Sequence, residues 1–166
     1  MLKIQFRFFL FVILALLVHS ATASQTNTSE DRKAVQNIYV DWCDAIGKAK
    51  GDPNVMVKFY APDAVLLPTF YPKILLNRDN GLDKYFKVFT SQPNIECHPD
   101  ALTTRLYGNI ALNAGFYHFT YTEKDGKTKT VYARFTFVYK LDDKKWLIIE
   151  HHSSVRPMKK TDKQPE

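Results

Sequence analysis

Residues 131–154, VYARFTFVYKLDDKKWLIIEHHSS, constrain the fold more than any other stretch of the chain. They form two β-rich runs joined by the polar turn Asp142-Asp143-Lys144. Alternation in the first run places Val131, Ala133, Phe135, Phe137 and Tyr139 on one face. Tyr132, Arg134, Thr136, Val138 and Lys140 fall on the other. The second run opens apolar on both faces, with Trp146 and Ile148 opposite Leu147 and Ile149, the pattern of a central strand covered on both sides. It closes on Glu150, His151, His152, Ser153 and Ser154. A buried strand that ends in titratable side chains is the first place to look for a functional site.

The remainder supplies helices first and strands last. Ala34, Val35, Ile38, Trp42, Ala45 and Ile46 recur at helical spacing, predicting a helix from Glu30 to about Lys50 with Ser29 as its N-cap. A short helix is expected over Asn54–Phe59, broken by Tyr60-Ala61-Pro62-Asp63. A strand follows over Ala64–Phe70, then a turn over Leu76–Asp79 and an amphipathic helix over Gly81–Thr90. Strands are expected at Ala101–Tyr107 and Ile110–Tyr121, with turns at Gly108-Asn109 and Asp125-Gly126. This order is the α+β pattern of one curved antiparallel sheet wrapped over helices.

With 166 residues, 45% of them hydrophobic, the chain can build one core and not two. Lys3 and Arg7, the apolar run Phe8–Val18 and Ala21-Thr22-Ala23 read as a secretory signal peptide over residues 1–23. The run is shorter than the ~20 residues that span a bilayer, so no membrane association is expected after cleavage. Residues 24–29 read as a disordered lead, 30–157 as the domain and 158–166 as a polar tail. The mature protein is expected in the periplasm or outside the cell. Two of the 23 basic residues leave with the leader, so against 17 acidic residues the mature charge is +4. Part of that excess sits in the tail, and basic clusters interleaved with aromatics are absent, so a nucleic-acid partner is not expected. Cys43 and Cys97 both enter an oxidising compartment. Two separate packed thiols are favoured over a bridge, because the spacing does not set their distance.

Several phrases carry a family resemblance. They are the run 59–69 (FYAPDAVLLPT), Tyr85-Phe86, Gly115-Phe116-Tyr117, the run 133–139 (ARFTFVY), Trp146-Leu147-Ile148 and His151-His152-Ser153-Ser154. Together with the element order they resemble the NTF2-like (SnoaL-like) superfamily. Within it they resemble bacterial proteins related to the calcium/calmodulin-dependent protein kinase II association domain, a group that includes SgcJ/EcaC-type proteins. The resemblance covers about Glu30 to Pro157. It implies an NTF2-like cone, one strongly curved antiparallel sheet wrapped over N-terminal helices, with a pocket between them and assembly as a dimer or larger. It does not imply kinase chemistry, since the association domain is the hub, and no Gly-rich phosphate loop or HRD-like segment is present. Eukaryotic hubs hold small carboxylates with pocket arginines. In this chain His118 and Ser153 stand near two of those positions, and Arg134 keeps an arginine nearby.

The site candidates follow from these readings. His151 and His152 point to opposite faces of their strand, and the core argument favours His151 for the pocket. A hydrogen-bonded structural histidine is the plainer alternative; general acid–base work is the functional one. His118, with Phe116 and Thr120 on a neighbouring strand, is expected to approach the same cavity. Trp42 and Tyr60 are core aromatics that also suit a pocket floor. Arg134 is either a pocket clamp for an anion or, as alternation favours, a surface or interface residue beside Tyr132. Asp41, Asp44, Asp63 and Glu150 are the available carboxylates, and none stands out as a base. Adjacent histidines on a strand diverge, so no metal is expected. No cofactor is expected either, because the chain lacks a dinucleotide fingerprint, a flavin motif and a redox cysteine pair.

These readings favour an exported domain that self-associates and binds a small molecule between sheet and helices, through His118, His151, Ser153, Arg134, Tyr132, Trp42 and Tyr60. One alternative is a small-molecule isomerase or lyase in which His151 or His118 moves a proton and Arg134 or Tyr132 polarises a carbonyl. Another is a pure oligomerisation module.

Overall fold

The structure is a computed structural model, and it describes residues 27–157. The expected signal peptide and the whole polar tail, 158–166, lie outside that range. Helix α1 spans Ser29–Ala49, α2 Asn54–Val57 and α3 Gly81–Phe89. The strands are β1 (Tyr60–Leu67), β2 (Leu75–Leu76), β3 (Glu96–Tyr107), β4 (Ile110–Thr122), β5 (Thr128–Asp142) and β6 (Lys145–Val155), with a 3-10 turn at Asn77–Asp79.

Thr28, not Ser29, is the N-cap of α1. Its hydroxyl accepts from the Asp31 amide at 3.0 Å, while its own amide donates to the Asp31 carboxylate at 2.9 Å. The Thr28 amide and, to a lesser extent, its hydroxyl, which also donates to the carboxylate at 2.9 Å, lower the Asp31 pKa. The helix ends where Lys50 turns left-handed at φ 44° and Gly51 follows at φ 87°.

The six strands form one curved, open sheet in the order β2-β1-β6-β5-β4-β3. Its long strands are antiparallel, but β1 pairs parallel with β6. That pairing explains why the segment expected to break a helix, Tyr60 to Asp63, is strand instead: Tyr60 sits opposite Ile148. The β5–β6 hairpin turns on Asp143 and Lys144, both at positive φ, which fits the right-handed twist of the flanking strands.

Two irregularities set which side chains face in. Across β5, Val138 sits opposite Glu150 and Tyr139 opposite Ile148, so Ile149 is an extra, bulged residue. Strict alternation would put His152 on the face of Trp146 and Ile148. The bulge reverses this, and Trp146, Ile148, His151 and Ser153 are all buried while His152 is exposed. In β3 the pairing shifts between Pro99 and Leu102. Opposite that shift a Cβ on Gly115 would overlap the Ala101 carbonyl oxygen, so the close approach of the two backbones requires glycine.

The core lies between the inner face of the sheet and α1. Tyr39 stacks on Phe135 at 4.8 Å, and Trp42 stacks on Tyr117 at 5.9 Å and meets Phe137 edge-on at 5.4 Å. Cys43 and Cys97 form a disulfide, with Cα atoms 4.9 Å apart, correcting the expectation of two free thiols. The cause is the length of β3. It starts at Glu96, five residues earlier than expected, and carries Cys97 inward beneath α1.

Candidate functional site

Four of the candidates meet in the core. Trp42 comes from α1, Tyr60 from the start of β1, and His151 and Ser153 from the end of β6. Trp42 Nε1 donates to the Tyr60 hydroxyl at 2.9 Å, and that hydroxyl lies 2.9 Å from His151 Nδ1. On its other side His151 Nε2 is 3.3 Å from the Tyr117 hydroxyl, which donates to Ser153 Oγ at 2.6 Å. Ser153 in turn hydrogen-bonds Thr69 Oγ1, in the loop after β1.

Donor counting gives this chain a direction. The indole N–H can only donate, so Tyr60 accepts there and passes its own proton toward His151 Nδ1. His151 then carries its single proton on Nε2 and donates to Tyr117. Tyr117 donates to Ser153, and Ser153 and Thr69 share one further hydrogen bond in which either hydroxyl can be the donor. Every link needs His151 neutral. Burial enforces this, holding its pKa well below the usual 6.5, and the charge of neighbouring His152 adds to the effect. Phe137 and Trp42 meet the imidazole edge-on at 4.3 and 5.4 Å, closing off solvent. Burial also pushes the Tyr60 and Tyr117 hydroxyls well above 10, so both stay protonated.

The cavity beside this relay measures only about 10 Å³, at the limit of holding one water. Its walls include Leu66, Tyr85, Phe86 and Phe119, and Phe70 is the one exposed residue of its lining. As folded here, the inner site is filled.

The other three candidates lie on the opposite face of the sheet. His118, expected in the same cavity as His151, points outward instead. Its Nδ1 is 3.2 Å from Asp100 Oδ1, and its ring stacks on His98 at 4.6 Å. Tyr132 packs beside it at 5.3 Å. Arg134 Nε donates to Ser154 Oγ at 3.0 Å, so of its two readings the surface one holds and the pocket clamp does not. Neither Tyr132 nor Arg134 reaches the inner relay. The physical reason is strand parity: the buried set of β5 is Ala133, Phe135, Phe137 and Tyr139, and that of β4 is Ala111, Asn113, Tyr117 and Phe119. Asn113 disguises that set in the sequence, because it looks like a surface residue. It is buried through bonds to Thr104 Oγ1 at 2.7 Å, the Val35 carbonyl at 2.9 Å and the Tyr139 hydroxyl at 3.1 Å.

Tyr117 and Thr69 are the relay members that sequence reasoning missed. The aromatic alternation Tyr117, Phe119 was a usable signal for the first. For Thr69, which sits in a loop, there was none. The carboxylates Asp41, Asp44, Asp63 and Glu150 are all exposed, and none bonds to the relay. Among the described residues no group of three His, Cys, Asp or Glu side chains is placed to hold a metal. Nor is any described helix long and apolar enough to cross a membrane.

A curved sheet closed over N-terminal helices, with its polar residues gathered at one end of the inner face, defines an NTF2-like domain. The chain belongs to the calcium/calmodulin dependent protein kinase II association domain family, whose model matches residues 31–157. A protein from Xanthomonas campestris named for the same association domain is 36% identical. The match covers 81% of this chain and 95% of that one, with a TM-score of 0.68. An NTF2-like superfamily protein from Salmonella enterica superposes with a TM-score of 0.70 at 17% identity, over 84% of this chain and 100% of that one. An NTF2-like protein from Streptomyces avermitilis named as a dehydratase gives 0.68 at 15% identity, over 78% and 99%. At such identities the last two speak for the fold alone. No curated protein matches the chain.

Proposed function

We propose that this is an exported domain that self-associates through the outer face of its sheet and holds one small molecule at the inner relay. The observation that carries self-association is the outer face of β4 and β5. Leu112, Phe116 and Val138 stand there only half-buried, in the middle of the sheet, while the helices occupy the inner face. A second copy is the occupant that fits, since the family is named for association. Charges of both signs flank the apolar centre (Arg105, Arg134, Lys140 and Glu150), as in the rim of an interface between like surfaces.

Export is supported by the leader pattern of residues 1–23 and by the Cys43–Cys97 disulfide, a bond that persists in oxidising compartments. Small-molecule binding is supported by the relay, a run of polar atoms that reaches from α1 to a loop at the surface. The isomerase or lyase alternative asks His151 to accept a proton, and its burial opposes that. His118 has a carboxylate partner but no enclosing pocket.

Light scattering on the mature protein at micromolar concentration tests the first part. The expected result is a dimer or larger species that Val138→Glu converts to monomer while the far-ultraviolet circular dichroism is kept. A wild-type protein that is strictly monomeric would refute self-association. Native mass spectrometry tests the second: a discrete extra mass, lost on denaturation, is expected from protein purified without chelating or washing steps.

A further inference from the structure

The loop between β1 and β2, residues 68–74, concentrates exposed apolar surface. Of the eight large hydrophobics exposed among the described residues, Phe70, Tyr71 and Ile74 fall within five positions here. None of the backbone hydrogen bonds of the turns and loops involves residues 70–74. Few buried contacts and few backbone bonds are the marks of a segment that opens locally at low cost. Yet Phe70 has a defined seat. Its ring stacks on Phe89 at 5.4 Å and meets Phe119 edge-on at 5.8 Å, while 37% of its surface remains in solvent. Behind it lie the Thr69–Ser153 end of the relay and the 10 Å³ void.

We propose that Phe70 is a removable plug, and that its seat binds a single-ring, uncharged aromatic molecule whose acceptor oxygen takes the hydrogen bond offered by the Thr69 hydroxyl. This rests on the small-molecule reading above and names the class of ligand.

Three features of the site carry the assignment. The seat is walled by aromatic faces and edges, with Tyr85 stacked on Phe89 at 5.4 Å, so a planar ring replaces Phe70 with the same contacts. The relay ends with a donor to spare: Ser153 already accepts from Tyr117, so whichever of Ser153 and Thr69 donates to the other, one hydroxyl proton of the pair has no acceptor among the side-chain bonds described. The ligand must therefore accept, as a ketone, aldehyde or phenol oxygen does. Finally, the residues lining the void include no lysine, arginine, aspartate or glutamate. A carboxylate would be buried there without a cation, which is strongly unfavourable, so the ligand is neutral.

The test uses the mature protein and three probes of one shape: acetophenone, benzoate and ethylbenzene, titrated by calorimetry at pH 7.5. Acetophenone is expected to bind at least tenfold more tightly than either of the others. Opening the plug limits affinity by the fraction of open protein, so Phe70→Ala is expected to tighten acetophenone by up to about tenfold. Phe70→Leu, which keeps an apolar side chain at the seat, is expected to fall between them. Thr69→Val, of nearly unchanged shape, should erase the preference for acetophenone over ethylbenzene. Equal affinities for all three probes, or Phe70→Ala binding no better than wild type, would overturn the plug and its ligand class. If wild type and Phe70→Ala bind none of the probes but native mass spectrometry shows a different bound compound, the ligand class fails and the small-molecule reading survives. If no compound is found by either route, both fall.

Discussion

His151 makes a quantitative prediction through pH. The ring is neutral in the folded protein because burial drives its pKa well below 6.5, with the charge of His152 as a lesser cause. In the unfolded chain it titrates near 6.5. Below that value the unfolded state binds a proton that the folded state refuses, so unfolding becomes easier as pH falls. Above it both states are neutral and the contribution is flat. With the folded ring still neutral at pH 5.0, the linkage amounts to about 2 kcal/mol lost between pH 8 and pH 5. The titratable groups facing the ring are Tyr60 on β1, Tyr85 on α3 and Tyr117 on β4. Burial raises all three, so none changes charge in this window.

The perturbation is His151→Gln, and the assay is urea unfolding followed by tryptophan fluorescence at pH 8, 7, 6 and 5, with the disulfide intact. At pH 8 the variant should be less stable by about 1–3 kcal/mol, because it breaks the relay and leaves the Tyr60 or Tyr117 hydroxyl without its partner. That gap should close by about 2 kcal/mol at pH 5, since only the wild type bears the histidine penalty. The outer-face histidines His98, His118 and His152 are common to both proteins and cancel in the difference. A gap that stays constant, or widens toward pH 5, would mean that His151 protonates freely in the folded state, and would refute the neutral relay.

Two further predictions concern the frame of the site. Reducing the Cys43–Cys97 bond, which closes a sequence separation of 54 residues, should cost about 4 kcal/mol by loop-closure entropy, read as a lower urea midpoint; an unchanged midpoint would refute its stabilising role. Gly115→Ala places a Cβ against the Ala101 carbonyl, where only backbone can yield. It should destabilise by at least about 1–3 kcal/mol, and an unfolding midpoint equal to wild type would refute the close approach.

The element order was legible because periodicity reports it directly. The helical spacing of Val35, Trp42 and Ile46, and the alternation of Ala133, Phe135, Phe137 and Tyr139, each place a buried face without knowledge of its neighbours. What was not legible depends on neighbours. The parallel pairing of β1 with β6 is a long-range choice that Tyr60 to Leu67 do not announce. The bulge at Ile149 is an insertion relative to β5, and its position cannot be read from β6 alone. His151 is the buried member of the pair and His152 the exposed one, although the alternation from Trp146 and Ile148 pointed to His152. His118 was misplaced because Asn113, polar but fully buried, hid the inner set of β4. Each failure came where a pairing or a hydrogen-bond partner distant in sequence decides the outcome.

The same dependence explains how the site holds its shape. In the relay, α1, β1, β4, β6 and the loop at Thr69 are joined by hydroxyl, indole and imidazole groups that have few other partners within the core. Such a chain adds little net stability, since each bond replaces one to water, but a misaligned link leaves two buried groups unsatisfied. Apolar packing alone would tolerate a β6 shifted by one residue, which would present His152 and Ser154 inward. The relay does not tolerate it, because the Tyr60 and Tyr117 hydroxyls accept partners only at the two ring nitrogens of a neutral His151 and at Ser153. With Ile149 present, the bulge and the relay therefore specify one another. Deleting Ile149 should leave His151 and Ser153 on the inner face and keep the hydrogen bonds around Tyr117, because Val138–Glu150 and Tyr139–Ile148 would become consecutive pairs of a regular ladder; a variant that loses those bonds would refute the assignment of Ile149 as the extra residue.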